Sequence, residues 1–271
     1  MRQGSGRNLI VGACVCGLLV LCGLLVLCGL GSARSAPSAT GLSFVDEFVS
    51  LSKKRWLVSN GWTNGKYQNC TWLAEQVKVV DGTLRLSFSG KRTAQRAHAC
   101  GEIQSKQRFG YGVYEARMKA VRGSGFNTAF FTYIGPVSKE PWHEIDFEVL
   151  GRQPSQVQLN QYVDGKGGNE KVVDVPGGAD KDFHDYAFIW EKDRLRYYID
   201  NVLVQTVNDP EKLPARPMMI FFSLWASDTL SGWLGKFSDP GGPVEAVVER
   251  VSYTALGDAC QYPESLVCRL D

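Results

Sequence analysis

The hydrophobic pattern divides the chain into two unequal parts. Leu9 to Leu30 is an apolar run of 22 residues without a charge, preceded by Arg2 and Arg7 and followed by the small residues of "GSARSAPSAT". A positive start, an apolar stretch and small residues in that order predict an export leader over residues 1–36. Gly31 and Ala33 suit the positions before the cut, with Ala36 and Ala39 as other candidates. The run is also long enough to span a bilayer, so a retained N-terminal anchor is the alternative, and the only membrane contact expected. Cys14, Cys16, Cys22 and Cys28 lie inside it, but "VGAC" comes too early and "LVLC" lacks the small residue that lipidation needs.

From Ser43 onward the period changes to short stretches of alternating apolar and polar residues, with no amphipathic helix. "VKVVDGTLRLSF" sets Asp81-Gly82 between two alternating runs, and "RLRYYIDNVLVQTV" does the same around Asp200-Asn201; both predict tight hairpins. Further strands are predicted at "GEIQSKQ", "GVYEARMKA", "TAFFTYI", "HEIDFEVL", "QVQLNQYV", "DYAFIWE", "MMIFFSLWA" and "VEAVVERVSYTAL". Glycine and proline cluster between them, at Gly123-Ser124-Gly125, Gly165 to Gly168, Pro176 to Gly178 and Pro240 to Pro243. These are loops too short to link domains. The reading is therefore all-β, one sandwich or barrel domain over residues 37–271.

Charge narrows the partners. Without residues 1–36 the chain loses three arginines and no acid, so its 30 basic residues become 27 against 28 acidic. A nearly neutral chain with no basic stripe argues against nucleic acid. Four cysteines follow the leader: Cys70, Cys100, Cys260 and Cys268. In an exported chain an even count favours bridges. Of the three connectivities, the spacing suggests Cys70 with Cys100 and Cys260 with Cys268, the second stapling a C-terminal tail, "GDACQYPESLVCRLD", that departs from the strand pattern. The three histidines, His98, His143 and His184, are scattered, so no metal cluster is readable.

Candidate chemistry lies in "PWHEIDFEVLG", residues 141–151. In an extended strand Glu144, Asp146 and Glu148 project to one side, and Ile145, Phe147 and Val149 to the other. An ordinary half-buried strand would look much the same, with its acids in water. Yet three like charges on one face repel one another with no cation between them. Trp142 leads in, and "TAFFTYIG" and "IFFSLWA" bring aromatic residues for adjoining strands. A cleft lined by rings and crossed by acids suits sugars, whose apolar faces stack and whose hydroxyls bind carboxylates and amides. Retaining glycoside hydrolysis needs two carboxyls about 5 to 5.5 Å apart. Residues i and i+4 of a strand lie about 13 Å apart at Cα, so only a concave face on which the side chains lean together would close the gap. Asp146 between them would couple their titrations and hold one carboxyl neutral.

"HEIDFEVLG" resembles the active-site strand of family 16 glycoside hydrolases, in the E-x-D-x-E form of bacterial lichenases and plant xyloglucan endotransglycosylases. "NGWTNGKYQNCTW", "CGEIQSKQRFGYGVYEARMKA", "FNTAFFTYIGP", "VQLNQYVDGKGGNEK", "FHDYAFIWEKDRLRYYIDNVLV" and "IFFSLWA" follow in the lichenase order, covering roughly Ser43 to Leu256. The resemblance implies a concanavalin-like β-jelly-roll of two curved antiparallel sheets, with the glycan cleft on the concave side and cleavage with retention of configuration. It implies Glu144 as nucleophile, Glu148 as general acid and then base, and Asp146 as the group that tunes the nucleophile. Asn64, Glu102, Trp142, Asn160, Tyr162 and Trp225 fall on positions that line sugar subsites, and Cys70 and Cys100 match a lichenase disulfide. Trp225 and Tyr162 also suit a core, and Asn64 a turn before Gly65.

Two positions depart from the lichenase pattern: Gln104 stands where arginine is usual and Ser223 where asparagine is usual, which puts cereal mixed-linkage glucan in doubt as substrate. Outside the catalytic strand the chain, including "CQYPES" in the stapled tail, resembles the rhizobial endo-β-glycanases that trim the acidic exopolysaccharide succinoglycan. The expected protein is a secreted, monomeric endo-β-1,3-1,4-type glycanase acting on a β-glucan or exopolysaccharide, with no cofactor for catalysis. A transglycosylase, in which a sugar hydroxyl intercepts the glycosyl-enzyme, is the alternative of the same chemistry. A non-catalytic lectin is the alternative of another class, expected to lack one of the three acids present here. The resemblance leaves a structural calcium ion open, its usual aspartate near the C-terminal strand falling at Glu249.

Overall fold

The computed structural model describes residues 42–270, so the leader and its cleavage or retention lie outside the described residues. Sixteen strands carry the fold: β1 (Phe44–Asp46), β2 (Trp56–Val58), β3 (Cys70–Trp72), β4 (Val77–Val80), β5 (Thr83–Ser89), β6 (His98–Ser105), β7 (Gly112–Lys119) and β8 (Phe126–Ile134), then β9 (His143–Leu150), β10 (Gln156–Val163), β11 (Lys171–Asp174), β12 (His184–Trp190), β13 (Leu195–Ile199), β14 (Val202–Val207), β15 (Met219–Ala226) and β16 (Val244–Ala255). Both predicted hairpins are present. Asp81 (φ 51°) and Gly82 (φ 68°) turn β4 into β5, and Asp200 (φ 49°) and Asn201 (φ 64°) turn β13 into β14. Left-handed φ at both central residues is what a two-residue turn between twisted strands requires.

The strands follow one another in the order β11-β10-β9-β8-β15-β6-β5-β16-β7-β12-β13-β14. Pairing is antiparallel throughout except for β3, which runs parallel to β6. Strand β6 is the seam: Gly101 to Gln104 pair with β15, whereas Ala99 and Cys100 pair with β5. The ribbon thus folds into two layers, the jelly-roll expected. Phe130 of β8 stacks on Phe188 of β12 at 6.0 Å, and Phe147 of β9 meets Tyr186 and Tyr197 at 5.5 and 5.4 Å. Burying large rings across the layers is the main stabilising term of such a sandwich.

The alternation of β9 is satisfied as predicted: Ile145, Phe147 and Val149 are fully buried between the layers. That fixes the carboxylates on the opposite, concave face. Cys70 is bonded to Cys100, and Cys260 to Cys268. The second bridge closes the tail, which docks on the outer layer through Glu115 of β7. Leu266 N–H and Ser265 Oγ each donate to that carboxylate at 2.7 Å. Leu266 itself packs among Val113, Ala187, Ile189 and Tyr198.

Several strands differ from the predicted spans at their ends. Strand β6 starts at His98, three residues before "GEIQSKQ", because its first residues serve the other layer. Strand β8 starts at Phe126, two residues before "TAFFTYI", and so brings Asn127 into the sheet.

Candidate active site

Register aligns the concave face in rows across the strands. Glu148 lies between Gln158 of β10 and Ala129 of β8; Asp146 between Asn160 and Phe131; Glu144 between Tyr162 and Tyr133. Strand β15 continues the rows with Trp225, Ser223 and Phe221 opposite Asn127, Ala129 and Phe131. Beyond it, Glu102 and Gln104 of β6 pair with Ser223 and Phe221. Of the predicted residues, Glu102, Trp142, Glu144, Asp146, Glu148, Asn160, Tyr162 and Trp225 therefore share this face or its rim.

Asn64 lies in the exposed loop before β3, the loop that also brings Tyr67 against Trp225, and its Oδ1 accepts from the indole N–H of buried Trp72 at 3.0 Å. Its backbone N–H donates to Gln68. The side-chain oxygen is thus engaged by β3 and the backbone by the loop.

The acids are not a solvated row. Asp146 is only 3% exposed, and Glu144 and Glu148 are half-buried. Burial penalises charge, so each carboxyl holds its proton to higher pH than an ordinary carboxylate. Burial pushes Glu144 up to about 7, opposed by the indole N–H of Trp142, which donates to it at 2.5 Å, and by a hydrogen bond from Asp146. Burial together with the charges of Glu144 and Glu148 pushes Asp146 far above the carboxylate range, and its hydrogen bond to Glu144 keeps the proton on Asp146. Burial pushes Glu148 up to about 8, helped by Glu144 and Glu170 and opposed by the side-chain N–H of Asn127, which donates to its Oε1 at 2.8 Å. The trio titrates as a unit. Its physical order is clear: Glu144 has two donors for its anion, Asp146 is a neutral donor, and Glu148 retains a proton at neutral pH.

Around the acids the face is aromatic. Trp142 and Tyr162 stack at 4.8 Å with an 11° tilt, Tyr133 meets Trp142 edge-on at 6.2 Å, and Trp225 lies between Tyr67 and Trp233 at 5.7 and 6.1 Å. Glu102 is buried, accepts from Ser59 Oγ at 2.6 Å, and is pushed up to about 7 by burial. Asn160 Oδ1 accepts from the backbone N–H of Gln161 and Asn169 at 2.9 and 3.3 Å, which orients its amide beside Asp146.

Sequence reasoning did not single out Asn127, Gln158, Tyr67 or Trp233. Asn127 shares parity with Ala129, Phe131 and Tyr133, so a strand begun two residues earlier would have found it. Trp233 reaches Gln158 Oε1 at 3.0 Å from a one-turn helix, Ser231–Leu234, with no periodic signal.

The histidines have separate structural partners: His143 pairs with Asp164, His184 with Asp200, and His98 stacks on Phe88. Glu249, the position considered for calcium, accepts from Arg117 Nε at 2.6 Å and is occupied by that ion pair. Among the described residues no group of three or more His, Cys, Asp or Glu could hold a metal ion.

Two half-buried carboxyls with different hydrogen-bond surroundings, joined by a third acid on one strand of an aromatic cleft, define a site built for glycosidic bond cleavage. The model of glycosyl hydrolases family 16 matches residues 64–239, and the chain belongs to that family. It is 57% identical over 229 residues to the endo-1,3-1,4-beta-glycanase ExoK of Rhizobium meliloti (strain 1021), covering 84% of this chain and 85% of that one. It is 37% identical to the beta-glucanase of Bacillus subtilis (strain 168), over 88% of this chain and 96% of the other. Among solved structures it is similar to the Bacillus licheniformis beta-glucanase, with a TM-score of 0.75 and 36% identity, covering 79% of this chain and 99% of that one. The protein is thus a glycoside hydrolase.

Proposed function

We propose that the protein is a secreted endo-β-glycanase that hydrolyses internal β-1,3-1,4-type linkages of a bacterial exopolysaccharide such as succinoglycan, with retention of configuration. The observation that carries this reading is the division of labour on β9, where Glu144 is supplied with donors and Glu148 keeps its proton. Glu144 attacks the anomeric carbon while Glu148 passes its proton to the departing glycosidic oxygen, leaving a covalent glycosyl-enzyme. Glu148, now a carboxylate, takes a proton from water as that water attacks the same carbon and frees Glu144. Asp146 holds its proton against Glu144, steadying the nucleophile's charge before attack and after release.

The relative in Rhizobium meliloti, an endo-1,3-1,4-beta-glycanase, supports the linkage class, and two side chains on the cleft face support a substrate other than cereal glucan. Gln104 and the buried Ser223 are neutral, and shorter than the arginine and asparagine expected of lichenases. A cleft that presents Glu102 and the trio, without an arginine at position 104, is less fitted to cereal glucan.

The test is release of new reducing ends from succinoglycan and from mixed-linkage β-glucan by protein lacking residues 1–36, with Glu144→Gln and Glu148→Gln as controls. Cleavage of succinoglycan that both substitutions abolish is expected. Full activity in either variant overturns the assigned roles, and cleavage of cereal glucan alone overturns the substrate. Products longer than the input would make the protein a transglycosylase.

A further inference from the structure

Asn127 is fully buried, and its two amide atoms fare differently. Its Nδ2 donates to Glu148 Oε1 at 2.8 Å, while its Oδ1 is buried with no hydrogen-bond partner. A buried carbonyl without a partner costs stability, and an apolar side chain of similar size would avoid that cost. Its position suits such a residue, since Ala129 and Phe131 follow it on the same face of β8. What the amide supplies there, beyond an apolar side chain of its size, is the donor to Glu148.

We propose that Asn127 is a positioning residue for the proton that Glu148 transfers; this rests on the reading of Glu148 as general acid. Because Oε1 accepts from Asn127, the transferable proton is held on Oε2, the oxygen left to face the glycosidic bond. Once that proton has moved to the leaving oxygen, the same N–H stabilises the carboxylate, which next takes a proton from the attacking water. Burial opposes the ionisation of Glu148 first, and the other charges that bear on it do the same: Glu144 on its own strand and Glu170 before β11. Tyr162 on β10 is pushed up by burial first and by the neighbouring acids second, so its hydroxyl stays neutral. Gln158, its other cross-strand neighbour, is engaged by Trp233. Asn127 is thus the donor that offsets this crowd of acids.

Asn127→Val separates this role from a structural one. Losing the donor raises Glu148, so the alkaline limb of kcat/KM on the polysaccharide moves up by about one pH unit, and kcat at the optimum falls about tenfold, the size of a lost hydrogen bond to a charged group. On an aryl glycoside whose phenolate leaves without a proton, the burst rate of glycosylation stays within about twofold. Thermal stability is unchanged or higher, because the unpartnered carbonyl is gone. Asn127→Thr, which keeps a shorter donor, lies between the two in pH profile. An unmoved alkaline limb, or equal losses on both substrates together with a lower Tm, overturns the proposal. Glu148→Gln measured alongside keeps the two readings apart: if it is fully active, the general-acid reading fails; if it is inactive while Asn127→Val is unaffected, only the role of Asn127 fails.

Discussion

Replacing Glu102 by glutamine should make the protein more stable in alkali and change it little in acid. Glu102 is 4% exposed, and burial holds its carboxyl at about 7 against an ordinary value of 4.5. A carboxyl raised on folding gives stability that is whole below the unfolded pKa and is lost as pH climbs through the folded one. For Glu102 that window runs from about 4.5 to about 7. The shift, at 1.36 kcal/mol per unit, amounts to about 3 kcal/mol lost by pH 8. Glutamine keeps an oxygen for Ser59 Oγ and carries no charge. The stability difference between variant and parent should therefore move in favour of the variant by about 3 kcal/mol between pH 4.5 and pH 8. Taking the difference removes the titration of Glu144, Asp146 and Glu148, which both proteins share. Urea unfolding of both proteins across that range reads it directly. A difference that does not change with pH would mean that Glu102 ionises as freely in the fold as in water, and would refute the argument from burial.

Two further outcomes follow from the trio. The profile of kcat/KM against pH should be bell-shaped with both limbs displaced upward, an acid limb near 7 from the anion on Glu144 and an alkaline limb near 8 from the proton on Glu148, read as macroscopic values of the coupled group; an acid limb near 4.5 would contradict it. Trp142→Phe removes the N–H donated to Glu144, so the acid limb should rise by about one unit while the ring still stacks on Tyr162; steady-state kinetics across pH would show it, and an unmoved limb would assign Trp142 to packing alone.

Much of this was legible in the chain. The strict alternation of "HEIDFEVL" placed Ile145, Phe147 and Val149 inside and the acids opposite, because one buried face fixes the register of a strand. Asp81-Gly82 and Asp200-Asn201 marked hairpins because few residues tolerate left-handed φ. Strands of three or four residues, such as β1, β2, β3 and β11, are too short for alternation to stand out from a loop. The contacts of Asn127 with Glu148, Trp233 with Gln158 and Tyr67 with Trp225 join segments 21, 75 and over a hundred residues apart. Such contacts arise from the pairing order of the sheet, which no local pattern encodes. The proton preference of each acid likewise depends on burial and on neighbours from other strands, so the alternation itself could not rank Glu144 and Glu148, and only the resemblance implied their roles.

The central claim is that Glu144 forms a covalent bond to the sugar while Glu148 handles the proton. An activated 2-deoxy-2-fluoro β-glucan oligosaccharide, whose glycosyl-enzyme turns over slowly, tests it by peptide mass spectrometry after digestion. The account predicts one added glycosyl mass on the peptide containing residues 141–151, fragmenting to Glu144 and absent from Glu144→Gln. A label on Glu148, or inactivation without any covalent adduct, would contradict it.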